Sequence, residues 1–573
     1  MPEIIEKENQ TDLSFAKSLF LGRLLENMVF PYPENKEQET VNMICDAVER
    51  FAKDHIDSAK IEKEGTLKPE FLSQLAELGL FGLMIPEEYG GLGLSQMAYG
   101  KVFECIGGID ASIAVTLGAH ASIGLKGLLL AGNEEQKQRF LPKLATGEMI
   151  AAFALTEPGA GSDAYSLKTR AEEQEDGSYK ITGNKIWITN GAFASFFTVF
   201  AKTKSKETGK EKVTAFIVTK DMPGFSHGPE EKKLGIKASS TVELHFDQVH
   251  VPKENILGEI GHGFKLAMQI LNSGRLGLAA GCIGGSKKLL ELAATQANTR
   301  KQFGRTIGSF GMIKEKLGLM QSEIYALESA TYLTCNLVDQ GIEDYSIESA
   351  VCKIAGSEKL WHIANEATQI AGGSSYMQEY PYERMLRDAR INMIFEGTNE
   401  ILRCFIALSG IKETGEKLKL LQKSLLNKPI KSFGLLYDYV SNKLSRNLYG
   451  DSIRLADVKL KKETSLIESY VVALANTVEK VLQRHGNKIV EMQLVQKRLA
   501  DITIDLYLMI ACVSHCSTQI KQEDAQVENA LKMTKIFCEQ AHQRIKNNFK
   551  QMDNNLDESI KDLANVTQNL EIV

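Results

Sequence analysis

Cysteine pairing is the first feature that the sequence lacks. The nine cysteines of the 573-residue chain are scattered, and no CxxC pair occurs among them. Cys512 and Cys516 lie one helical turn apart around His515, but this spacing without a second ligand pair is a weak metal signature. We expect reduced, mostly buried thiols, as in an intracellular protein, and no bound metal.

An excess of positive charge is missing as well. Lysine and arginine number 67 against 73 acidic residues, and the formal net charge is −6. A nucleic-acid-binding domain usually carries a basic patch or a high isoelectric point. The composition gives no electrostatic reason to expect a nucleic-acid partner.

Targeting and membrane-spanning segments are not recognised in the sequence either. The first residues, MPEIIEKENQTDLSF, are acidic and polar, which is unlike a secretory signal or an arginine-rich transit peptide. No apolar run approaches the ~18 residues that a bilayer-spanning helix needs. We therefore expect a cytoplasmic protein.

Hydrophobic periodicity divides the chain into a few domains. A prior of roughly one domain per 150 residues predicts three to five. Apolar residues recur at helical spacing before residue 150, short β-branched or aromatic runs follow, and long helical stretches return afterwards. The predicted segments are an N-terminal segment, 1–34; a helical domain, 35–150; a central β domain, 151–262; a helical bundle, 263–411; and a helical extension, 412–573.

Two motifs in the β domain have the composition of a cofactor site. LTEPGAGSD is a small-residue turn after an apolar strand, where backbone N–H groups and hydroxyls approach an anion; a plain loop is the alternative. GNKIWITNG presents Trp187, one of two tryptophans, beside hydroxyl and backbone donors. That arrangement suits a flat heteroaromatic ligand, whereas a core tryptophan is the alternative.

Two further motifs lie in the helical part. TRKQFG places two cations and an aromatic residue at the end of a long helix; it is either a solvated helix end or an arginine fork for a diphosphate. QIAGG holds a glycine pair just past a helix. One glycine is consistent with a helix C-cap, and a pair also allows close approach of backbone to a ligand.

Glu396 follows Ile394 and Phe395 directly and precedes Gly397. An acid at a helix N-terminus is favourable to the helix dipole, and Glu400 serves that purpose equally well. A carboxylate beside two apolar side chains is instead desolvated, so that its pKa rises and it becomes a stronger base. From the residues alone both interpretations stay open.

The order of these motifs resembles the acyl-CoA dehydrogenase family. LTEPGAGSD, KIWITNG, HFDQVHVPKENILG, RKQFG, QIAGG and RDARINMIFEGTNEILR follow one another over roughly residues 31–410. The resemblance implies an α+β, mostly α protein. Its parts are an N-terminal helical domain, a central β-barrel-like domain, a C-terminal four-helix bundle and an extra C-terminal helical domain.

The resemblance implies FAD as cofactor, bound between the β domain and the bundle and reaching a second subunit. Thr156 would lie near the pyrimidine side of the flavin, Thr189 near N5, and Arg300, Gln302 and Phe303 on the diphosphate and adenosine of the partner subunit. The implied cofactor-binding residues are Phe153, Leu155, Thr156, Gly161, Ser162, Trp187, Ile188, Thr189, Arg300, Gln302, Phe303, Gln369, Gly373, Thr398, Asn399 and Glu400. Glu400 departs from the family pattern, in which several members have glutamine.

By the same resemblance Glu396 is the catalytic base. It would remove the α-proton of an acyl-CoA thioester while the β-hydrogen leaves as hydride to flavin N5. A ribityl hydroxyl and the base's own backbone N–H would hold the thioester oxygen and stabilise enolate charge. The implied substrate-binding residues are Ser162, Asn272, Arg275, Phe395 and Gly397.

The extension after residue 411 is similar to the very-long-chain branch of the family. That branch implies a homodimer, a long-chain acyl-CoA substrate, electron transfer to an electron-transfer flavoprotein and, in some members, peripheral membrane contact. Small residues at Gly118, Ala119 and Gly124 are expected to leave space for a long acyl tail. The competing functions are an acyl-CoA oxidase that uses O2 and a scaffold or assembly protein on the same fold.

Overall fold

The computed structural model describes residues 14–205, 208–427, 443 and 450–569. Thus residues 1–13 of the predicted N-terminal segment and 428–442 and 444–449 of the predicted extension lie outside the described residues. The chain forms two compact units: one comprises Met1–Pro33, Ile342–Val351 and Asn399–Val573, the other Glu34–Gly341 and Cys352–Thr398. These units group the chain differently from the five predicted segments, whose boundaries stay a prediction.

Thirteen helices precede residue 428 in the described chain. They are α1 Phe15–Phe20, α2 Gln38–His55, α3 Ser58–Glu64, α4 Pro69–Glu77, α5 Gln96–Ile109, α6 Ala111–Gly118, α7 Lys126–Ala131, α8 Glu134–Ala145, α9 Gly263–Thr299, α10 Gly311–Asp339, α11 Ser346–Ala371, α12 Tyr382–Arg390 and α13 Asn399–Asn427. Four more follow residue 450: α14 Lys461–His485, α15 Gln493–Lys521, α16 Val527–Gln551 and α17 Asp557–Gln568.

Helix starts follow local capping chemistry. The Asp110 carboxylate accepts hydrogen bonds from the N–H groups of Ser112 and Ile113 at the start of α6. Asn133 and Gln136 form a reciprocal capping box at the start of α8. Such caps satisfy N–H groups that have no partner within the helix.

The central strands are β1 Ala151–Ala154, β2 Arg170–Glu173, β3 Tyr179–Thr189, β4 Phe196–Lys204, β5 Glu211–Thr219, β6 Phe225–His227, β7 Thr241–Val251 and β8 Ile256–Leu257. They form one eight-stranded sheet in the order β6-β7-β3-β2-β4-β5-β8, and β1 pairs with β4 in parallel. Strand β4 is buried along nearly its whole length, as expected for a strand covered on both faces. The mostly helical fold with a central sheet agrees with the predicted class.

The unit that contains residues 399–569 has its own polar anchors. The Leu24 N–H donates to Asp451 at 2.7 Å, and the Tyr32 N–H donates to the Thr518 hydroxyl at 2.9 Å. His515 stacks on Tyr32, with ring centroids 4.1 Å apart. This histidine, which the sequence places between two cysteines, therefore packs against an aromatic ring.

Two stretches correct the expectation that no run is long and apolar enough for a membrane. Ala111–Ala131 and Gln493–Lys521 both pass the length and hydropathy criteria for a span. However, 72% and 83% of their most apolar windows are buried against the rest of the protein. Core helices pass the same test because burial in protein and burial in lipid select the same side chains.

Candidate active site

A buried ion pair shapes the LTEPGAGSD segment. The Lys185 ammonium donates to Glu157 Oε1 at 2.7 Å and to the carbonyl of Leu155 at 3.0 Å. The Glu157 carboxylate also accepts from the backbone N–H groups of Lys168 and Thr169. Because both charges are buried and paired with each other, this ion pair and its hydrogen bonds tie the loop to strand β3.

Strand β3 lies directly beside this loop. The Ile186 N–H donates to the carbonyl of Thr156 at 3.0 Å. The register of β3 on β7 then shifts between Lys185 and Ile188, and Trp187 has a φ of 56°. A bulge of this kind redirects a side chain. Trp187 is 62% exposed, which excludes the core-tryptophan interpretation.

The donors around this loop and strand fit the flavin cofactor that the resemblance implies. Among the described residues, no hydrogen bond involves the hydroxyls of Thr156, Ser162 and Thr189. A Cβ at Gly159 or Gly161 would meet no protein atom within 4 Å. Free hydroxyls, open backbone and an exposed indole are the groups that a flat cofactor with polar edges requires.

Two other predicted residues complete this first cluster by packing. The Phe153 ring packs on Phe200 with centroids 5.1 Å apart, and Ile188 is buried in the sheet. They therefore support the strands whose ends carry the free hydroxyls.

The TRKQFG motif forms a hairpin rather than a helix end. Helix α9 stops at Thr299, after which β9 Lys301–Gln302 pairs with β10 Arg305–Thr306. Phe303 occupies the turn with a φ of 53° and is 92% exposed. Arg300 and Gln302 are exposed too. This arrangement presents a cation, an amide and an aromatic ring on one protruding turn.

The remaining predicted cofactor residues lie on two other segments. Gln369 and Gly373 are exposed around the end of α11, where Gly372 has a φ of 62° and follows the last helical residue. Gly372 thus has the expected helix-terminating conformation. Asn399 is buried and Glu400 exposed in the first turn of α13, with Thr398 just before it.

Glu396 lies on a strained turn. Its φ is 56°, and that of Gly397 is 93°. The left-handed region is uncommon for a residue with a side chain and costs roughly 1–3 kcal/mol. A backbone keeps such strain only where surrounding contacts hold it in place, and strained residues of this kind are frequent at active sites.

The Glu396 carboxylate is enclosed by residues that are distant in sequence. A Cβ placed on Gly274 would lie 3.1 Å from both carboxylate oxygens and 2.6 Å from Cγ2 of Ile123. Ile394 is 47% exposed, so the sequence neighbour does not supply the apolar wall that the sequence suggests. Helix α9 and the turn that carries Ile123 supply it instead.

Burial raises the pKa of Glu396 to about 7, although the charges of Arg275 and Lys353 act to lower it. Oxygen Oε2 is buried without a hydrogen-bond partner among the described residues. A carboxylate in this state accepts a proton readily near neutral pH. The predicted rise in pKa is confirmed in direction.

Arg275 lies under the turn rather than in open space. It is buried, its Nε donates to the carbonyl of Glu396 at 3.3 Å, and its Nη1 donates to Asn272 Oδ1 at 2.9 Å. Lys353, which the sequence analysis did not single out, donates from Nζ to the carbonyl of Gly397 at 2.8 Å. Both predicted substrate residues on α9 therefore contact the base loop or each other.

His120 is a second residue that sequence reasoning missed. The Ala151 N–H donates to His120 Nδ1 at 3.0 Å, so Nε2 carries the proton and donates to the Phe81 carbonyl at 3.2 Å. Burial lowers the pKa of His120 to about 4, which keeps the ring neutral. The ring fixes the start of β1, just ahead of the Thr156 loop.

The glycines expected to leave space for an acyl tail do not do so. A Cβ at Gly118 would lie 2.8 Å from Phe103 Cζ, and one at Gly124 would lie 2.7 Å from the Ala119 carbonyl oxygen. Protein atoms already fill these spaces. Gly118 and Gly124 allow close packing between segments, and that part of the expectation is wrong.

Family comparisons match nearly the whole chain. Family models described as the acyl-CoA dehydrogenase N-terminal, middle and C-terminal domains match residues 38–148, 152–249 and 261–410. A fourth, described as the ACAD9/ACADV C-terminal domain, matches residues 458–571. The last match lies within the predicted extension, 412–573.

Individual relatives agree with these matches. The very long-chain specific acyl-CoA dehydrogenase, mitochondrial, of Bos taurus is 42% identical over 556 residues, which is 95% of this chain and 85% of that protein. The solved acyl-CoA dehydrogenase from Bacillus anthracis complexed with FAD is 34% identical, with a TM-score of 0.80 over 93% of this chain and 91% of that one.

A chain in the solved structure of the electron transferring flavoprotein of Acidaminococcus fermentans is 36% identical, with a TM-score of 0.62, covering 66% of this chain and 98% of that one.

Proposed function

This chain belongs to the acyl-CoA dehydrogenase family, and we propose that its substrate is a long-chain acyl-CoA and its electron acceptor an electron-transfer flavoprotein. The enzyme class and the FAD cofactor follow from the family matches and from the FAD complex of the Bacillus anthracis relative. The chain length and the acceptor are the proposed parts. Fatty-acid β-oxidation is the pathway in which this reaction fits.

The observation that carries the proposal is the buried Glu396 carboxylate with its unpartnered oxygen. A thioester α-proton is far less acidic than a carboxylic acid, so the base must be strengthened. Desolvation does this because it disfavours the charged carboxylate and favours uptake of the proton. The Glu396 side chain would take the α-proton at a carboxylate oxygen.

The enolate that forms needs donors for its oxygen. The backbone N–H of Glu396 donates to no other residue in the described ranges. It is therefore available for the thioester oxygen, where a preorganised donor stabilises developing charge. Gly397, with no side chain, leaves this approach open.

FAD, when bound, supplies an acceptor for the β-hydrogen as hydride. Thr156, Ser162 and Thr189 would hold it by hydroxyl hydrogen bonds, and Trp187 and Ile188 would lie along it. The ion pair of Lys185 with Glu157 keeps the loop that carries these hydroxyls in place. The protein's contribution is to orient these groups and to exclude water from the base.

The acyl tail would pass between Glu396 and the neighbouring residues of α9 and the N-terminal helices. Tyr99 and Ser122 lie beside Gly277 on α9, within 3.8 Å of where its Cβ would be. The 42% identity to a very long-chain specific enzyme supports a long substrate. A chain-length profile that peaks at butyryl-CoA would contradict it.

One experiment tests the reaction, the substrate and the acceptor together. The yellow, FAD-loaded protein is mixed anaerobically with acyl-CoA thioesters from four to twenty carbons, and flavin bleaching is followed by absorbance. We expect bleaching to be fastest with long chains. Air is then admitted: slow reoxidation supports an electron-transfer flavoprotein as acceptor, and fast reoxidation with stoichiometric hydrogen peroxide supports the acyl-CoA oxidase alternative.

The similarity to a chain in the electron transferring flavoprotein structure of Acidaminococcus fermentans supports the proposed acceptor. Reduction of a purified electron-transfer flavoprotein by the enzyme and acyl-CoA would test it directly. A scaffold or assembly protein on the same fold is the alternative from another class. The intact base argues against it, and an absence of flavin bleaching with every thioester would favour it.

The homodimer is proposed from the exposed aromatic groups around the predicted FAD diphosphate site. Phe303 is 92% and Tyr376 82% exposed in the single chain, more than large apolar side chains usually are. Analytical ultracentrifugation of the holoenzyme would test the dimer, and a monomer that retains FAD would contradict it.

Peripheral membrane contact and a cytoplasmic location remain proposals. Helix α17 and the residue before it carry an exposed apolar face, which supports the first: Leu556, Ile560, Leu563 and Val566. Flotation with anionic vesicles would test the contact. The Bos taurus relative is named as mitochondrial, so fractionation of the source cell is needed to test the location.

A further inference from the structure

The turn that carries Glu396 is held through its two carbonyl groups. Arg275 donates to the carbonyl of Glu396 at 3.3 Å, and Lys353 donates to the carbonyl of Gly397 at 2.8 Å. The two cations come from different helices, α9 and α11. They therefore fix consecutive peptide groups from two directions.

The arrangement that holds these two carbonyls is unfavourable in free energy, which indicates that the position of the turn matters for function. The Lys353 side chain is fully buried, and burying an ammonium is unfavourable by several kcal/mol unless it is well paired. Two successive residues also take left-handed φ values, 56° and 93°. A methionine of similar length would fill the same space but would leave the Gly397 carbonyl without this donor, so the lysine serves to hold the turn.

Building on the proposed function, we propose that Lys353 is a positioning residue for the base: it holds the Gly397 carbonyl so that the strained turn directs the Glu396 carboxylate at the substrate α-carbon. The same ammonium favours the ionised form of that carboxylate, which is the form that accepts a proton. Arg275 assists from the other side of the turn.

The charged and titratable groups that face Glu396 come from three helices. Arg275 and Cys282 belong to α9, Tyr99 to α5 and Lys353 to α11. Burial raises the pKa of Cys282 to about 12 and that of Tyr99 as well, so both stay neutral near pH 7. Burial lowers the pKa of Lys353 to about 8, whereas the charge of Glu396 acts to raise it.

The sign of the expected effect follows from these charges. Burial raises the pKa of Glu396, whereas the Lys353 charge lowers it. Loss of that charge raises the pKa of Glu396 further. Flavin reduction requires the ionised base. In the profile of reduction rate against pH, the fall on the acid side (the acid limb) therefore moves to higher pH.

Three substitutions of Lys353 separate the effect of its hydrogen bond to the turn from the effect of its charge. Lys353→Met removes the donor and the charge, Lys353→Gln keeps a donor without the charge, and Lys353→Arg keeps both. Each is purified with FAD, and the rate of flavin reduction at saturating acyl-CoA is measured anaerobically from pH 5.5 to 9, together with the substrate dissociation constant. Lys126→Met is the matched control, since burial also lowers the pKa of Lys126 to about 8 but its charged neighbour is Asp339.

For Lys353→Met we expect a reduction rate about 10²-fold lower, because small misplacement of a base is costly, and an acid limb at higher pH. The dissociation constant should change little. Lys353→Gln should show the shifted limb with a smaller loss of rate, and Lys353→Arg should restore both. Lys126→Met should keep the wild-type limb.

A second measurement needs no turnover. Infrared titration of the Glu396 carboxyl, identified by its absence in Glu396→Gln, gives its pKa directly, and hydrogen exchange reports the mobility of residues 394–399. We expect a higher carboxyl pKa and faster exchange in Lys353→Met. This readout also applies if one variant fails to load FAD.

The outcomes distinguish two failures. If no acyl-CoA thioester reduces the flavin of the wild-type enzyme, the proposed function is refuted. The infrared and hydrogen-exchange data then still test whether Lys353 positions the turn. If the wild type is reduced but Lys353→Met keeps its pH limb, carboxyl pKa and exchange, the positioning role is refuted. A uniform loss of rate without any of these shifts likewise overturns it.

Discussion

Two glutamates in this protein have similarly raised pKa values, but their carboxylates have different surroundings. Burial raises the pKa of both Glu396 and Glu348 to about 7. Glu348 lies within α11, and its Oε1 accepts from the Ser14 hydroxyl at 2.7 Å and from the Ala16 N–H at 2.8 Å. Glu396 lies on a strained turn, and none of the described hydrogen bonds reaches its carboxylate.

The difference lies in what faces each carboxylate. Glu348 receives fixed donors from the start of α1, so its role is to hold that helix end. Among the described residues no group donates to the Glu396 carboxylate, and two cations hold the carbonyls of Glu396 and Gly397 instead. Since Oε2 of Glu348 is likewise buried without a hydrogen-bond partner among the described residues, a raised pKa and one unpartnered oxygen do not by themselves indicate a catalytic base. The strained turn and the absence of described donors to either oxygen distinguish Glu396.

Removal of the base is expected to have the largest effect. Glu396→Gln keeps the shape of the side chain but cannot accept the α-proton. We expect flavin reduction by acyl-CoA to fall about 10²- to 10⁴-fold, while the protein stays yellow. Stopped-flow absorbance measures the rate, and unchanged reduction would refute the assignment of Glu396.

Crowding of the base is expected to have the next largest effect. In Gly274→Ala the new methyl group would lie 3.1 Å from both Glu396 oxygens, so the carboxylate must shift. We expect flavin reduction to slow by about 10- to 100-fold. Gly318→Ala on α10 is the control, because its Cβ would meet no atom within 4 Å. Equal rates in both variants would show that the position of Gly274 is unimportant.

Removal of the other glutamate should affect stability and spare the chemistry. Glu348→Ala leaves the Ser14 hydroxyl and Ala16 N–H without their acceptor, which costs about 1–3 kcal/mol. We expect a lower midpoint in urea or thermal unfolding and a normal rate of flavin reduction per FAD-loaded enzyme. A loss of rate as large as that of Glu396→Gln would remove the contrast between the two sites.

The pH dependence of stability should show the smallest effect. The pKa of Glu348 rises from its usual value of 4.5 to about 7 on folding. Between these values the unfolded state binds fewer protons, so this group makes stability fall as pH rises. Glu348→Gln cannot ionise and should flatten that fall in thermal unfolding from pH 4.5 to 7. An unchanged slope would mean that the native carboxyl titrates normally.

Most of the candidate site residues could be predicted from the order of the short motifs. Thr156, Trp187 and Glu396 each belong to a short motif, and the comparisons bear out the family that those motifs resemble. The contacts around the Glu396 turn could not be predicted, since Gly274 is one glycine in a long helix and Lys353 a single lysine in an apolar run. Nothing local distinguishes these two residues from ordinary helix positions.

The membrane-span criterion and the glycine positions both show what sequence composition cannot predict. Hydropathy passes α15 as a possible span, yet most of it is buried against protein. Small residues at Gly118 and Gly124 suggested open space, yet neighbouring side chains and backbone fill it. Composition reports how apolar or small a segment is, and only packing reports what lies next to it.

By itself, the sequence determined the mostly helical class with its central sheet, the family and the cofactor type, and it pointed to Glu396 as the proposed base. These depend on periodicity and on short motifs, which are local properties of the chain. Only the tertiary structure decided that Arg275 and Lys353 hold the turn of Glu396 and that Gly274 and Ile123 enclose its carboxylate. Desolvation and charge act through space, so the basicity of Glu396 depends on residues that folding brings to it.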